Sequence, residues 1–134
     1  VKTPITKLND TTYKLTPKDE KKIYSLFVGR WQPFHKGHKA LIETVLKEGK
    51  SVLIAIRNTD ISESNPLTVL ERKRVIKKAL AEWKDKVKII SIPDIEEVCY
   101  GRKVGWGIRE ITLPKELEDI SATKIRNDNL GNRQ

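Results

Sequence analysis

The chain has no methionine, one cysteine and two histidines among 134 residues, and no run of roughly 18 consecutive apolar residues. The last absence leaves no transmembrane helix to expect and no membrane partner. The opening VKTPITKLND lacks the apolar core of a secretory leader. A single thiol, Cys99, cannot close an intramolecular disulfide and suits a reducing compartment, so a cytoplasmic protein is expected. Two imidazoles and one thiol are too few for a structural zinc site. Glycine is sparse, at 7, and wrongly spaced for a phosphate loop. Gly29 and Gly37 stand too far apart for Gly-x4-Gly-Lys-Ser/Thr, and no Lys-Ser/Thr pair follows Gly37. No Gly-x-Gly-x-x-Gly follows the first apolar run either. Positive charge, by contrast, is abundant. The formal net charge is +9 with a pI of about 9.7, which favours anionic partners: nucleotides, phosphorylated metabolites or nucleic acid.

The length suits one domain with one core. Residues 1–22 read as a polar extension, in which Thr16 could cap a short helix begun by Pro17, Asp19 and Glu20. Apolar runs at 23–29, 51–56 and 86–92 then alternate with amphipathic segments at 38–47 and 67–83. Gly49 sits where a left-handed helix stop is common, and Thr68 and Glu71 have capping-box spacing. The stripe Val69, Val75, Ile76, Ala79, Leu80 and Trp83 marks the inner face of the second helix. Residues 97–101 and 107–113 read as two more short strands. Residues 120–126 read as a strand end turning into a last helix capped by Ser121, and 127–134 as a polar tail. This alternation predicts an α/β fold over residues 23–126: a Rossmann-like doubly wound sheet, mostly parallel, of about five strands with helices on both faces. Ligands of such sheets bind beyond the carboxyl ends of the strands. That rule gathers the loops at 29–38, 57–66, 93–97 and 120–123 around one crevice, with Asp60 and Asp94 on two of them.

Both histidines lie in GRWQPFHKGH, residues 29–38, between a strand and a helix. His-x-Gly-His at a helix start aims two imidazoles and several free amides at one place. Gly37 would let a ligand approach the backbone, and orphan amides attract phosphate. Imidazole, neutral or protonated, donates hydrogen bonds to phosphoryl oxygens. Fixed donors without a protein nucleophile are what a pentavalent phosphorus centre requires. Cys99, in an apolar strand-like run, reads as a buried inert thiol.

GRWQPFHKGH resembles the His-x-Gly-His signature of the nucleotidylyltransferase superfamily, and ISATKIR (120–126) is similar to its second signature, Ile-Ser-x-Thr-x-x-Arg. The resemblance covers about residues 23–126. Within the superfamily the chain is most similar to archaeal-type nicotinamide-nucleotide adenylyltransferases, which share Gly-Arg-Phe-Gln-Pro-x-His-x-Gly-His, Asn-Pro-Phe-Thr-x-x-Glu-Arg and Ile-Pro-Asp-Ile. Here Trp31 replaces the phenylalanine, and NPLTVLER (65–72) and IPDI (92–95) match the others. The family usually carries a longer segment between the last two motifs than EEVCYGRKVGWGIREITLP.

The resemblance implies attack by an acceptor phosphate on the α-phosphorus of a nucleoside triphosphate, ATP favoured, with pyrophosphate leaving. It implies His35 and His38 as catalytic donors. Gly29, Arg30, Trp31, Gln32, Phe34, Lys36 and Gly37 would hold the nucleotide from the first loop, and Ser121, Thr123 and Arg126 its β- and γ-phosphates. Mg2+ would bridge the phosphates, with no metal ligand from protein side chains. Read on their own, Pro33 and Phe34 suit shaping the turn, Trp31 either packing or stacking on a ring, and Trp106 likewise. Glu71 and Arg72 suit capping and solvating their helix, and Asp94 suits ordering its loop. A cytidylyltransferase using CTP and a small phosphorylated alcohol is the alternative acceptor chemistry. A nucleotide- or nucleic-acid-binding module without turnover is the alternative class, though no nucleic-acid partner is expected. A homo-oligomer is left open.

Overall fold

Three of the apolar runs become strands of one parallel sheet: β1 (Ser25–Gly29), β2 (Val52–Asn58) and β3 (Val87–Pro93), in that order. The structure, a computed structural model, describes residues 14–101, 105–120 and 125–126. Parallel neighbours need long crossovers. These are supplied by α1 (Lys36–Leu46) and α2 (Val69–Ala79). In register, Phe27, Ile54 and Ile89 form one row across the sheet, and Val52 lies beside Val87. These side chains share one face and join Ile42, Val45, Leu46, Ile76 and Leu80 in a single core. Both helices therefore cover the same face, as right-handed crossovers stepping in one direction require. On the other face Leu26 is 60% exposed, and Leu53 and Ile90 are half-buried. Among the described residues the α/β expectation thus takes the form of three strands and one helical layer, rather than five strands with helices on both faces.

The two missing strands have a physical reason. Residues 97–101 and 107–113 carry no neighbouring strand to pair their backbone, and Val98, Tyr100 and Ile108 are exposed. Cys99 is exposed with them, which corrects its reading as a buried thiol. Instead the later chain runs back along α1. Arg109 grips Glu48, just past the end of α1, through two contacts of 2.8 and 2.6 Å. Ile111 packs on the margin of the core, and the short helix α3 (Lys115–Glu118) reaches the start of α1.

Local signals behave as the residue chemistry dictates. Gly49 closes α1 with φ +85, its N–H donating to the Leu46 carbonyl at 2.9 Å. Thr68 and Glu71 form the capping box of α2: Glu71 N–H reaches Thr68 Oγ1 at 3.1 Å, and Thr68 N–H reaches Glu71 Oε1 at 2.8 Å. Thr16 Oγ1 accepts from the Asp19 N–H at 3.2 Å at the start of a single 3-10 turn (Asp19–Lys21), whose Asp19 carboxylate pairs with Lys88 at 3.0 Å and ties the extension to β3. Among the described residues no helix is long and apolar enough to cross a membrane.

Candidate active site

The turn from β1 to α1 is held from beneath. Trp31 has φ 57, a left-handed conformation that costs a bulky residue about 1–2 kcal/mol. Burial of its ring offsets this: the side chain is 5% exposed, and its indole N–H donates to the Ala55 carbonyl at 3.2 Å. The ring lies so close to Gly29 that a Cβ there would stand 2.8 Å from it. Gln32 is 2% exposed and clamps residue 67: its amide donates to the Leu67 carbonyl at 3.0 Å and accepts from the Leu67 N–H at 2.9 Å. Phe34 is buried as well. The side chains of Trp31, Gln32 and Phe34 therefore shape the loop from inside instead of lining a cleft. Trp106 is exposed and meets Tyr100 edge-on, with ring centroids 6.2 Å apart.

The two histidines cap their own helix. His35 Nδ1 accepts from the Gly37 N–H at 3.1 Å and the His38 N–H at 3.4 Å, while His38 Nδ1 accepts from the His35 N–H at 3.2 Å. A backbone N–H can only donate, so each Nδ1 must present a lone pair. Each neutral ring then carries its proton on Nε2, and the pair offers two fixed Nε2–H donors. The rings stack at 3.7 Å, with Trp31 edge-on to His38 at 4.9 Å and Phe34 at 5.5 Å. Burial lowers the His38 pKa to about 4, helped by the neighbouring His35, and burial lowers His35 also. Neutral imidazole is therefore the form present near pH 7. Two sequence expectations change here. The amides of Gly37 and His38 are already bonded to the His35 ring, so they are not free for phosphate. The space at Gly37 is filled by protein, since a Cβ there would stand 3.0 Å from both His35 Cε1 and the Leu117 carbonyl oxygen.

Cations gather around this turn. Lys36 opens α1, whose first turn carries no acid, although a cation at the positive helix end costs a few tenths of a kcal/mol. Arg30 donates to Asn65 Oδ1 at 3.1 Å. Arg126 donates from Nη1 to the Gln32 carbonyl, which brings the end of the second signature to the first. Ser121 and Thr123 lie outside the described residues. The residue that sequence reasoning misread is Arg72. It is fully buried and donates to three carbonyls: Thr68 at 3.2 Å, Arg30 at 2.7 Å and Arg57 at 2.8 Å. Burial pulls its pKa down, yet a guanidinium stays charged. The available signal was its spacing, because Val69, Arg72, Ile76 and Ala79 fall on one helical stripe.

A parallel α/β sheet with a histidine pair at the carboxyl end of β1 is the setting in which the sequence profile of the cytidylyltransferase-like family matches residues 26–103, and the chain belongs to that family. Its relatives include nicotinamide-nucleotide adenylyltransferases. The protein of that name from Methanococcus aeolicus is 39% identical over 74 residues, 54% of this chain and 43% of the relative. The one from Methanocorpusculum labreanum is 40% identical over 73 residues (53% and 44%), and the one from Thermococcus sibiricus 39% over 75 residues (52% and 40%). The matched part of the chain spans less than half the length of these relatives.

Proposed function

We propose that the chain transfers the adenylyl group of ATP to nicotinamide mononucleotide and releases pyrophosphate. The observation that carries this reading is the self-capped histidine pair, which presents two neutral Nε2–H donors where the first strand ends. The names of the relatives and the NPLTVLER and IPDI matches favour ATP and a nicotinamide acceptor. In this reading an acceptor phosphate oxygen attacks the α-phosphorus, and the bond to the pyrophosphate bridging oxygen breaks. His35 and His38 donate to phosphoryl oxygens as charge builds there, and no proton leaves either Nδ1. Lys36 and Arg30 add positive charge, while Ser121, Thr123 and Arg126 take the β- and γ-phosphates. Gly29, Trp31, Gln32, Phe34 and Gly37 contribute by holding the loop. Among the described residues no three His, Cys, Asp or Glu side chains gather as metal ligands. The donors of the site suit anionic oxygen more than a cation; Mg2+ would arrive with the triphosphate and would supply neutralisation of its charge.

The test crosses the four nucleoside triphosphates with a panel of phosphorylated acceptors and measures pyrophosphate release. Turnover confined to ATP with nicotinamide mononucleotide is expected. Turnover with CTP and glycerol phosphate would replace the substrates. Oligonucleotide binding that falls steeply with salt, without pyrophosphate release, would replace the class.

A further inference from the structure

At the carboxyl edge of the sheet three arginines lie close together, and one of them, Arg57, pairs with a carboxylate. Gly29 pairs with Ile56, so Arg30 and Arg57 come next on adjacent strands. Arg72 Nη1 donates to both of their carbonyls, at 2.7 and 2.8 Å, and fixes the two backbones side by side. Arg57 Nε reaches Asp94 Oδ1 at 2.7 Å, and its Nη2 reaches the Ile95 carbonyl at 3.4 Å. Asp94 also accepts from the Ile95 N–H at 2.9 Å. Its carboxyl is held below the usual range, chiefly by the Arg57 hydrogen bond. Four segments thus converge: the ends of the three strands and, through Asn65, the loop before α2. The ion pair among these groups is Arg57–Asp94, so among the described residues positive charge remains in excess here.

We propose that Arg57 determines acceptor specificity: with Arg30 it binds the phosphomonoester of the acceptor, while Asp94 orients its guanidinium. The inference rests on nucleotidylyl transfer to a phosphorylated acceptor. An in-line displacement places acceptor and pyrophosphate on opposite sides of the α-phosphorus, so the acceptor phosphate needs a cationic anchor of its own. Arg57 is suited to that place. It stands on β2, in the sheet row that α1 and α2 leave uncovered, whereas His35 and His38 belong to the start of α1. A guanidinium matches two phosphate oxygens at once, and an unphosphorylated alcohol gains nothing from it.

The test titrates nicotinamide mononucleotide, and separately inorganic phosphate, into the full chain by calorimetry, with α,β-methylene ATP filling the triphosphate site. Arg57→Gln should weaken both probes about 10- to 100-fold and change affinity for the ATP analogue by less than about threefold. Arg57→Lys keeps the charge without the fork and should fall between, which keeps the test valid if Arg57→Gln unfolds. Asp94→Asn removes the charge of the tie to the loop, keeps an amide oxygen that can still accept, leaves the guanidinium charged, and should retain phosphate affinity within about fivefold. Two results overturn the proposal: unchanged probe affinity in Arg57→Gln, or an equal loss in Asp94→Asn, which would make Arg57 a loop tie only. Loss of the catalytic reading looks different: phosphate still binds through Arg57 while no triphosphate yields pyrophosphate.

Discussion

A histidine that caps a helix through Nδ1 and keeps Nε2–H as a donor performs two separable tasks. Asparagine can perform the first, since its side-chain oxygen is a good acceptor for the amides of Gly37 and His38. It cannot perform the second. His35→Asn should therefore melt close to the wild type, while turnover falls about 100- to 1000-fold, as for loss of one transition-state donor. His35→Ala should lose the same activity and a further ~1 kcal/mol of stability with the cap. Thermal melts beside pyrophosphate-release rates check both, and equal melting of the two variants would remove the cap from the account. Gly37→Ala tests the contact beneath. Its methyl would press on the His35 ring and the Leu117 carbonyl, so a loss of about 1–3 kcal/mol is expected, read from urea midpoints. The sequence made the two histidines legible as a pair at a helix start. It did not show them bonding each other's backbone, because nothing in residue spacing says which ring nitrogen is committed. Nor could it choose between packing and stacking for Trp31. That choice was made by the positive φ and by the Ala55 carbonyl, which belongs to another strand.

Among the elements, α2 contributes most to the site without touching it. Its amino end is sealed by Thr68 and Glu71, and one turn in, Arg72 crosses to the carbonyls of β1 and β2. Thr68→Ala should cost about 1 kcal/mol, the usual worth of a cap. Arg72→Lys should cost more, about 2–3 kcal/mol, because one ammonium cannot span carbonyls on three segments and a buried acceptor left unpaired loses its solvation. Urea titration of both variants checks the order, and an Arg72→Lys midpoint at or above that of Thr68→Ala would contradict it. Elements were legible where local and tertiary preferences agree. The three strands and two helices follow from apolar runs and capping residues. The runs at 97–101 and 107–113 misled, since an apolar segment can equally lie along a helix, and only tertiary partners decide. Ile111 found its place at the margin of the core and Arg109 its partner in Glu48, just past α1, rather than in a strand pairing.

For the whole molecule, the scarcity of histidine becomes a measuring device. The chain has two imidazoles, and both lie at the turn from β1 into α1. In the folded state burial lowers His38 to about 4 and lowers His35, whereas the ordinary value is 6.5. Between these limits the unfolded chain binds more protons than the folded one. Stability must then rise with pH across that window, and be lost as pH falls from about 6.5 toward 4. The carboxylates act with the same sign lower down. Glu48, held at about 2 by Arg109, and Asp94, lowered by Arg57, contribute stability that is lost as pH falls below the ordinary carboxylate range. Urea midpoints measured from pH 8 to pH 3 should therefore fall in two stages. The upper stage belongs to the histidines and should vanish in the double variant His35→Asn/His38→Asn, while the lower stage remains. A triphosphate bound at the Nε2–H face would bring negative charge to both rings, raise their folded-state pKa values toward the ordinary 6.5 and so shrink the upper stage. If the upper stage persists in the double variant, the depressed histidines are not its source, and neutral paired donors lose their support.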